Sequence, residues 1–294
     1  MATKESFAII GCGRAGTAFA RALSDAGYTP SGFASRSLSS ARRVSDIAGY
    51  QGANVSTFPW EVTGEADFVL VTTPDDVIRH TAEDMAVHAG MKKGAAAFHC
   101  SGALSSTELA SLADAGFQTG SIHPLQSFGA APYGKNPFEG IMMGIEGDRE
   151  AVERARIMAE ALGATPFQID TAGKMIYHAA AVVASNYLVT LMKSAMALLG
   201  ASGVDPEKGF AILKPLIMGT LGNIENSGPV DALTGPIVRG DTAIVRAHVA
   251  TIRRDTPQML ALYQLLGKHT VEIASERGSI SDEKRRELLS ALSG

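Results

Sequence analysis

Phe7-Ala8-Ile9-Ile10-Gly11-Cys12-Gly13-Arg14-Ala15-Gly16 is the stretch on which the fold turns. Four apolar residues make a buried strand. A G-x-G-x-x-G run follows, and it opens the helical stretch Arg14–Ala26. Such a run is informative only between a strand and a helix, and here it has both. Gly11 permits the tight turn, Gly13 lets the backbone approach a diphosphate, and Gly16 lets helix and strand pack closely. Cys12, Arg14 and Ala15 complete the loop, so all six residues are expected to line a dinucleotide's phosphates at a helix N-terminus. Cys12 itself reads as a small space-filler more than as a reactive thiol.

Outward from this turn, strands and helices alternate. Ser31–Ala34, Asp67–Thr72, Ala95–His99, Phe117–Ile122, Ile141–Ile145 and Thr165–Ile169 read as strands. Ser39–Ala48, Asp75–His88, Ser106–Ala115 and Arg149–Leu162 read as helices, and a loop rich in Gly and Pro precedes Ile141. This alternation predicts βαβ units and a doubly wound, mostly parallel sheet. From Ala172 the strand signal fades. Lys174–Leu199 reads as one long apolar helix, buried on most sides, and Glu207–Ile224, Thr242–Arg253, Gln258–Glu276 and Asp282–Leu292 as further helices. Asp205, Asp241 and Ser281 are the expected N-caps. The expected division is 1–170, an α/β nucleotide-binding domain, and 171–294, an all-α domain for substrate and dimerisation.

The chain has 294 residues, 46% hydrophobic and 19% charged, which suits a folded chain with a large core. Its 26 basic and 30 acidic residues leave a net charge of −4, without the basic footprint of a nucleic-acid binder. Two cysteines support neither a disulfide framework nor a zinc site, so no metal is expected and a reducing cytoplasm is the expected location. The run Phe7–Ile10 is too short for a signal-peptide core, and Ala179–Leu191 is too short to cross a bilayer. No membrane association is expected.

The second strand ends at Ala34-Ser35-Arg36-Ser37, with no Asp or Glu to take a ribose 2′-hydroxyl. Ser35 and Arg36 suit a 2′-phosphate, with Arg42 and Arg43 adding to the field, so NADP is expected over NAD. Thr73 and Pro74 end the next strand and should lie over the ribose or nicotinamide. Two further strand ends, His99-Cys100-Ser101-Gly102 and Ile122-His123-Pro124-Leu125, fall on the same edge, and the nicotinamide is expected between Thr73, Ser101 and His123.

These features resemble the superfamily of 6-phosphogluconate, β-hydroxyacid, prephenate and pyrroline-carboxylate reductases. The whole chain more closely resembles a branch of Rossmann-like NADP-dependent oxidoreductases with a helical C-terminal domain of unknown function. The closer match is carried by His99–Leu104, Ser121–Leu125, Lys174–Ala180 with Asn186, and Leu233–Asp241. The resemblance implies a hydride transfer between nicotinamide and a small carbonyl, hydroxyl or imine substrate. By similarity to the prephenate dehydrogenases, Ser101 and His123 are candidate catalytic residues, with His123 able to exchange a proton near neutrality. By similarity to the β-hydroxyacid dehydrogenases, Lys174 is a candidate acid/base. The Asn of their Lys-x-x-x-Asn pattern is replaced here by His178. At ~100° per residue, Lys174, His178, Ser185 and Asn186 line one side of the helix, which adds His178 and Asn186 to the candidates. The bland alternatives are an exposed Lys174 and a His123 that merely caps a strand end. Two other functions stay open: a non-catalytic NADP sensor, and deazaflavin-coupled reduction of NADP. Arg239 and Asp241 are expected to pair within their loop, and the apolar C-terminal half, with Met192, Met196, Met218 and Met259, to form a homodimer.

Overall fold

The computed structural model describes residues 4–88, 90, 92–128 and 136–294. Part of the Gly- and Pro-rich loop before Ile141, residues 129–135, lies outside the described residues. Two compact units divide the chain, Met1–Val183 and Ala184–Gly294.

The first unit holds an eight-stranded sheet flanked by helices. Its strands are β1 (Ser6–Ile10), β2 (Thr29–Ala34), β3 (Asn54–Ser56), β4 (Phe68–Val71), β5 (Ala96–His99), β6 (Gln118–Pro124), β7 (Met142–Gly147) and β8 (Thr165–Gln168). Their order is β3-β2-β1-β4-β5-β6-β7-β8. The first six are parallel, β7 runs antiparallel to β6, and β8 is parallel to β7. The order reverses between β1 and β4, the place beyond whose carboxyl ends sheets of this kind bind their ligands. The short β3, with its Asn and Ser, carries no hydrophobic period and was not foreseen.

The sheet is covered on both faces. One core joins Phe7, Phe33, Phe68 and Phe98 to α1 (Arg14–Asp25), α2 (Leu38–Ile47) and α5 (Arg149–Ala161). The other packs Ala8, Val69, Val71 and Ala97 against α3 (Ile78–His88) and α4 (Ala110–Asp114). Central strands buried on both faces need apolar residues at every position, which is why β4 reads Phe-Val-Leu-Val without alternation.

The expected long helix is two helices. α6 (Lys174–Ala184) and α7 (Asn186–Ala201) meet at Ser185, whose φ of −113° and ψ of −66° depart from helical values. Regular 100° spacing therefore does not carry from Lys174 to Asn186. Nor are these helices buried. Lys174 is the one buried residue of α6, and α7 has none. Ile176 is 74% exposed, and Met175, Val183, Tyr187 and Val189 are exposed as well. Thr171–Ala201 is also long and apolar enough to cross a membrane by length and composition, which the shorter run Ala179–Leu191 within it is not.

The second unit continues with α8 (Gly209–Asp231), interrupted at Gly228, and α9 (Thr242–Asp255), α10 (Leu260–Glu276) and α11 (Asp282–Ser293). Its core joins Val245, Val249, Val271 and Leu288. Asp205 and Ser281 cap as expected, accepting from the Glu207 and Lys284 amides. Asp241 makes no side-chain cap. Its carboxylate accepts from Arg239 Nε at 2.9 Å instead, the loop contact foreseen for that pair.

The glycines of the first turn have unequal tasks. A Cβ on Gly16 would fall 2.1 Å from the Gly11 carbonyl oxygen and 2.6 Å from Thr72 Oγ1, whereas one on Gly13 would meet nothing within 4 Å. Gly16→Ala should therefore cost about 1–3 kcal/mol through overpacking. Gly13→Ala should cost less than ~1 kcal/mol, set mainly by backbone entropy and capping. Urea unfolding of both variants checks the contrast.

Candidate active site

The glycine turn lies at the carboxyl end of β1, against the end of β4. Gly11 has a φ of +103°, a conformation that L side chains rarely adopt. A Cβ there would also meet the Thr72–Thr73 backbone at 2.7–2.9 Å. Thr72 Oγ1 donates to the Gly11 carbonyl at 2.5 Å and so clips the two strand ends together. Gly13 is the N-cap of α1 and makes no side-chain hydrogen bond there. Thr73 Oγ1 is buried with no hydrogen-bond partner among the described residues. An open Gly13 and an orphan hydroxyl fit a phosphorylated ligand at this turn.

Ser35 and Arg36 follow β2 on the same edge, and Arg36 is exposed. Arg43 Nη2 on α2 donates to the Cys12 carbonyl at 3.3 Å, which brings a second guanidinium to the glycine turn. The Cys12 thiol is buried, and burial pushes it up to about 12, with Arg43 opposing. It is a space-filler in the turn, and its sulfur bonds the Ala34 carbonyl. Pro74 is exposed beside Thr73.

A polar cluster forms at the ends of β5 and β6. Lys174, expected on the bland reading to be exposed, is 1% exposed. Its Nζ donates to the Ser101 carbonyl and to Ser121 Oγ, both at 2.9 Å. Burial lowers its pKa, and the nearby Glu146 opposes that shift. Glu146 is also 1% exposed. Its carboxylate accepts from the Ser106 amide, Ser106 Oγ and Thr171 Oγ1, which joins the loop after β5 to the turn that enters α6.

Ser101 is committed on every side. Its hydroxyl donates to Asp75 Oδ2 at 2.8 Å and accepts from the Ala103 and Leu104 amides. Its own amide donates to His99 Nδ1 at 3.2 Å. That bond makes Nδ1 an acceptor, so His99 Nε2 carries the hydrogen and donates to the Ser105 carbonyl at 2.9 Å. His99 is buried, and burial lowers its pKa. The loop after β5 is thus held by four separate elements before any ligand arrives.

His123 lies near the end of β6. Its Nδ1 sits 2.7 Å from Tyr177 Oη. Burial pulls His123 down to about 4, and the positive fields of Lys174, His178 and His99 pull the same way. Burial pushes the Tyr177 phenol up to about 12. The phenol is therefore protonated and the imidazole neutral at neutral pH, and the hydrogen between Tyr177 Oη and Nδ1 can be donated by either group. His178 joins from the same helix turn, its ring centroid 5.9 Å from that of His123. His178 Nδ1 is buried without a partner among the described residues.

The structure thus brings Ser101, His123, Lys174 and His178 together within the first unit. Asn186 lies in the second unit as the exposed first residue of α7. Its carbonyl accepts from Thr190 Oγ1. Tyr177, Glu146 and His99 were not assigned from sequence. The i, i+3, i+4 spacing of Lys174, Tyr177 and His178 put all three on one helix face and was the available signal for the tyrosine. Among the described residues no cluster could hold a metal ion.

Comparison with known proteins bears on the whole arrangement. Residues 2–124 match the model of a Rossmann-like domain, and residues 141–270 match a domain of unknown function (DUF2520). A search of the curated proteins finds no match. Among solved structures, "putative NADP oxidoreductase BF3122 from Bacteroides fragilis" superposes with a TM-score of 0.73 at 23% identity, over 92% of this chain and 99% of that one. Protein TM1727 from Thermotoga maritima gives 0.71 at 28% identity, over 92% and 98%. A reductive aminase from Aspergillus terreus, in complex with NADPH and ethyl-5-oxohexanoate, gives 0.59 at 14% identity, over 99% and 93%. The chain is a Rossmann-like domain followed by a DUF2520 domain, the branch that its motifs resemble.

Proposed function

We propose that this protein is an NADP-dependent oxidoreductase that transfers a hydride between nicotinamide and a small carbonyl/hydroxyl or imine substrate. One observation carries the reading: an open phosphate cradle at the β1/β4 crevice shares a sheet edge with a buried imidazole–phenol pair. The structural relatives with NADP in their names support it. Gly11, Gly13, Gly16 and the amides of Arg14 and Ala15 would hold the diphosphate. Ser35 and Arg36 would take the 2′-phosphate, and Thr73 and Pro74 would face the ribose or nicotinamide. The bound cofactor supplies hydride.

The chain's own residues supply the proton and the frame. His123 touches the reacting group. Lys174, with its ammonium enclosed by Ser101 and Ser121, positions the helix that carries Tyr177 and His178. Ser101 likewise positions, because its hydroxyl is already taken up by Asp75 and two amides.

Fluorescence titration should show micromolar NADPH binding and much weaker NADH binding. Arg36→Glu should cut the NADPH preference about 10- to 100-fold by removing a charge-assisted hydrogen bond of ~1.5–3 kcal/mol. Equal affinities for the two cofactors in the unmodified protein would overturn the 2′-phosphate assignment.

His123→Ala should lower kcat/KM about 100-fold or more with NADPH affinity kept. A sensor would have no turnover to lose. Because His123 is neutral until pH falls to about 4, kcat/KM should stay level through neutrality. A rate that tracks an ionisation near 6.5, the ordinary histidine value, would place the proton elsewhere.

The exposed apolar residues of α6, α7 and α8 (Ile176, Val189 and Leu216 among them) support a homodimer over a membrane span. The run begins at a lysine fixed within the sheet unit and breaks at Ser185. Light scattering should report twice the chain mass, and Leu216→Glu should shift it toward the single chain. A single-chain mass for the unmodified protein would overturn the dimer.

A further inference from the structure

Among the described residues, two Asp, Glu, Lys or Arg side chains are buried, Lys174 and Glu146, and both belong to the same cluster. No hydrogen bond joins them directly. The link between them is Ser121. Lys174 Nζ donates to Ser121 Oγ at 2.9 Å, and Ser121 stands directly opposite Glu146 in the antiparallel register of β6 and β7. Side chains opposite each other in such a pair share one face of the sheet, with Cβ atoms about 4.5–5.5 Å apart. The carboxylate therefore stands on the face that receives the ammonium.

The other groups around Lys174 cannot take that place. Asp75, after β4, is exposed and accepts from Ser101 Oγ. Burial pushes the Cys100 thiol up to about 12, and burial lowers the pKa of His99 on β5 and of His123 on β6. Glu146 is thus the one buried carboxylate facing the ammonium, and its field is the largest of those that oppose the fall in the Lys174 pKa. The same carboxylate accepts from the Ser106 amide at 2.7 Å and from Ser106 Oγ and Thr171 Oγ1 at 3.0 Å each. Thr171 lies three residues before Lys174, so both grips fall on the entry to α6.

We infer that Glu146 is a positioning residue of the site: by balancing the Lys174 ammonium and bonding Thr171, its carboxylate fixes the start of α6 and so the contact of Tyr177 and His178 with His123. This rests on the oxidoreductase reading for what the site does. A carboxylate is needed for the task. An amide of the same shape offers one acceptor oxygen where three donors converge, and it brings no charge to the ammonium.

The direction of the pH effect follows. Without the field of Glu146, Lys174 loses its proton at a lower pH than in the unmodified protein. Between that pH and 10.5, the ordinary lysine value, the unfolded chain holds more protons than the folded one, so stability rises with pH across that window. Glu146→Gln should start this rise at a lower pH.

The test uses the full chain without cofactor, with isotope-labelled lysine and histidine followed by NMR. Lys174 should titrate below 10.5, and about one pH unit or more lower still in Glu146→Gln. Glu146→Asp, which keeps the charge, should return the titration most of the way. Glu146→Gln should also move the ring signals of His123 and His178, while His248 in the second unit stays in place. A carboxylate that merely stabilised the fold would lower the unfolding midpoint and leave those two rings unmoved. In urea, Glu146→Gln and Lys174→Met should be coupled: the double variant should unfold about 10-fold less readily than the product of the single effects requires. Should Glu146→Gln fail to fold, the double variant removes both charges and should fold, with the His123 and His178 signals displaced. The inference is overturned if Lys174 titrates alike with Glu and Gln at 146, if the two rings keep their signals in the folded variants, or if the single effects simply add. Failure of the unmodified protein to bind NADPH would instead sink the oxidoreductase reading, and these spectra would still decide the role of Glu146.

Discussion

A buried lysine whose Nζ hydrogen-bonds no carboxylate among the described residues is the constraint on which the site depends. Lys174 Nζ gives two hydrogen bonds, one to the Ser101 carbonyl and one to Ser121 Oγ. Those acceptors belong to the loop after β5 and to β6. One side chain therefore fixes α6 against two neighbouring strand ends. Burial of such a cation is expensive unless its hydrogens are used, and its pKa falls for that reason. Tyr177 and His178, one turn further along from that anchor, meet His123.

The surrounding network is rigid by redundancy. Glu146 bridges Ser106 and Thr171, and His99 bridges the Ser101 amide and the Ser105 carbonyl. Each buried polar group within it has a partner except at two places. Thr73 Oγ1 is orphaned at the glycine crevice, and His178 Nδ1 is orphaned above Gly102. Satisfied networks organise a site, and the unsatisfied atoms mark where a ligand would sit.

The glycines serve this arrangement in different ways. Gly11 supplies a left-handed backbone where β1 turns into α1. Gly16 supplies closeness between helix and strand. Gly102 and Gly144 supply room for a histidine pair and for a tyrosine hydroxyl. A glycine's permissive backbone is readable from a motif. A glycine's empty volume is readable only from what stands opposite it.

Much of this was legible in the residues themselves. The strand, G-x-G-x-x-G and helix sequence at Phe7–Gly16 carries its own local geometry, and the alternation of β-branched runs with helical stretches carries the parallel sheet. Ser35-Arg36 carries its charge to the end of β2 wherever that strand lies. Period and turn chemistry are properties of neighbours in the chain, so they survive without knowledge of the fold. Tertiary structure alone decided the rest. Helical spacing could not show that Ser185 breaks the long helix, that its apolar sides face outward, or that Asn186 begins a separate helix. Nor could it show that Lys174 is sealed in while His178 is left unpaired. Those facts depend on residues 50 to 75 positions apart meeting in space, and no local rule of spacing encodes such meetings.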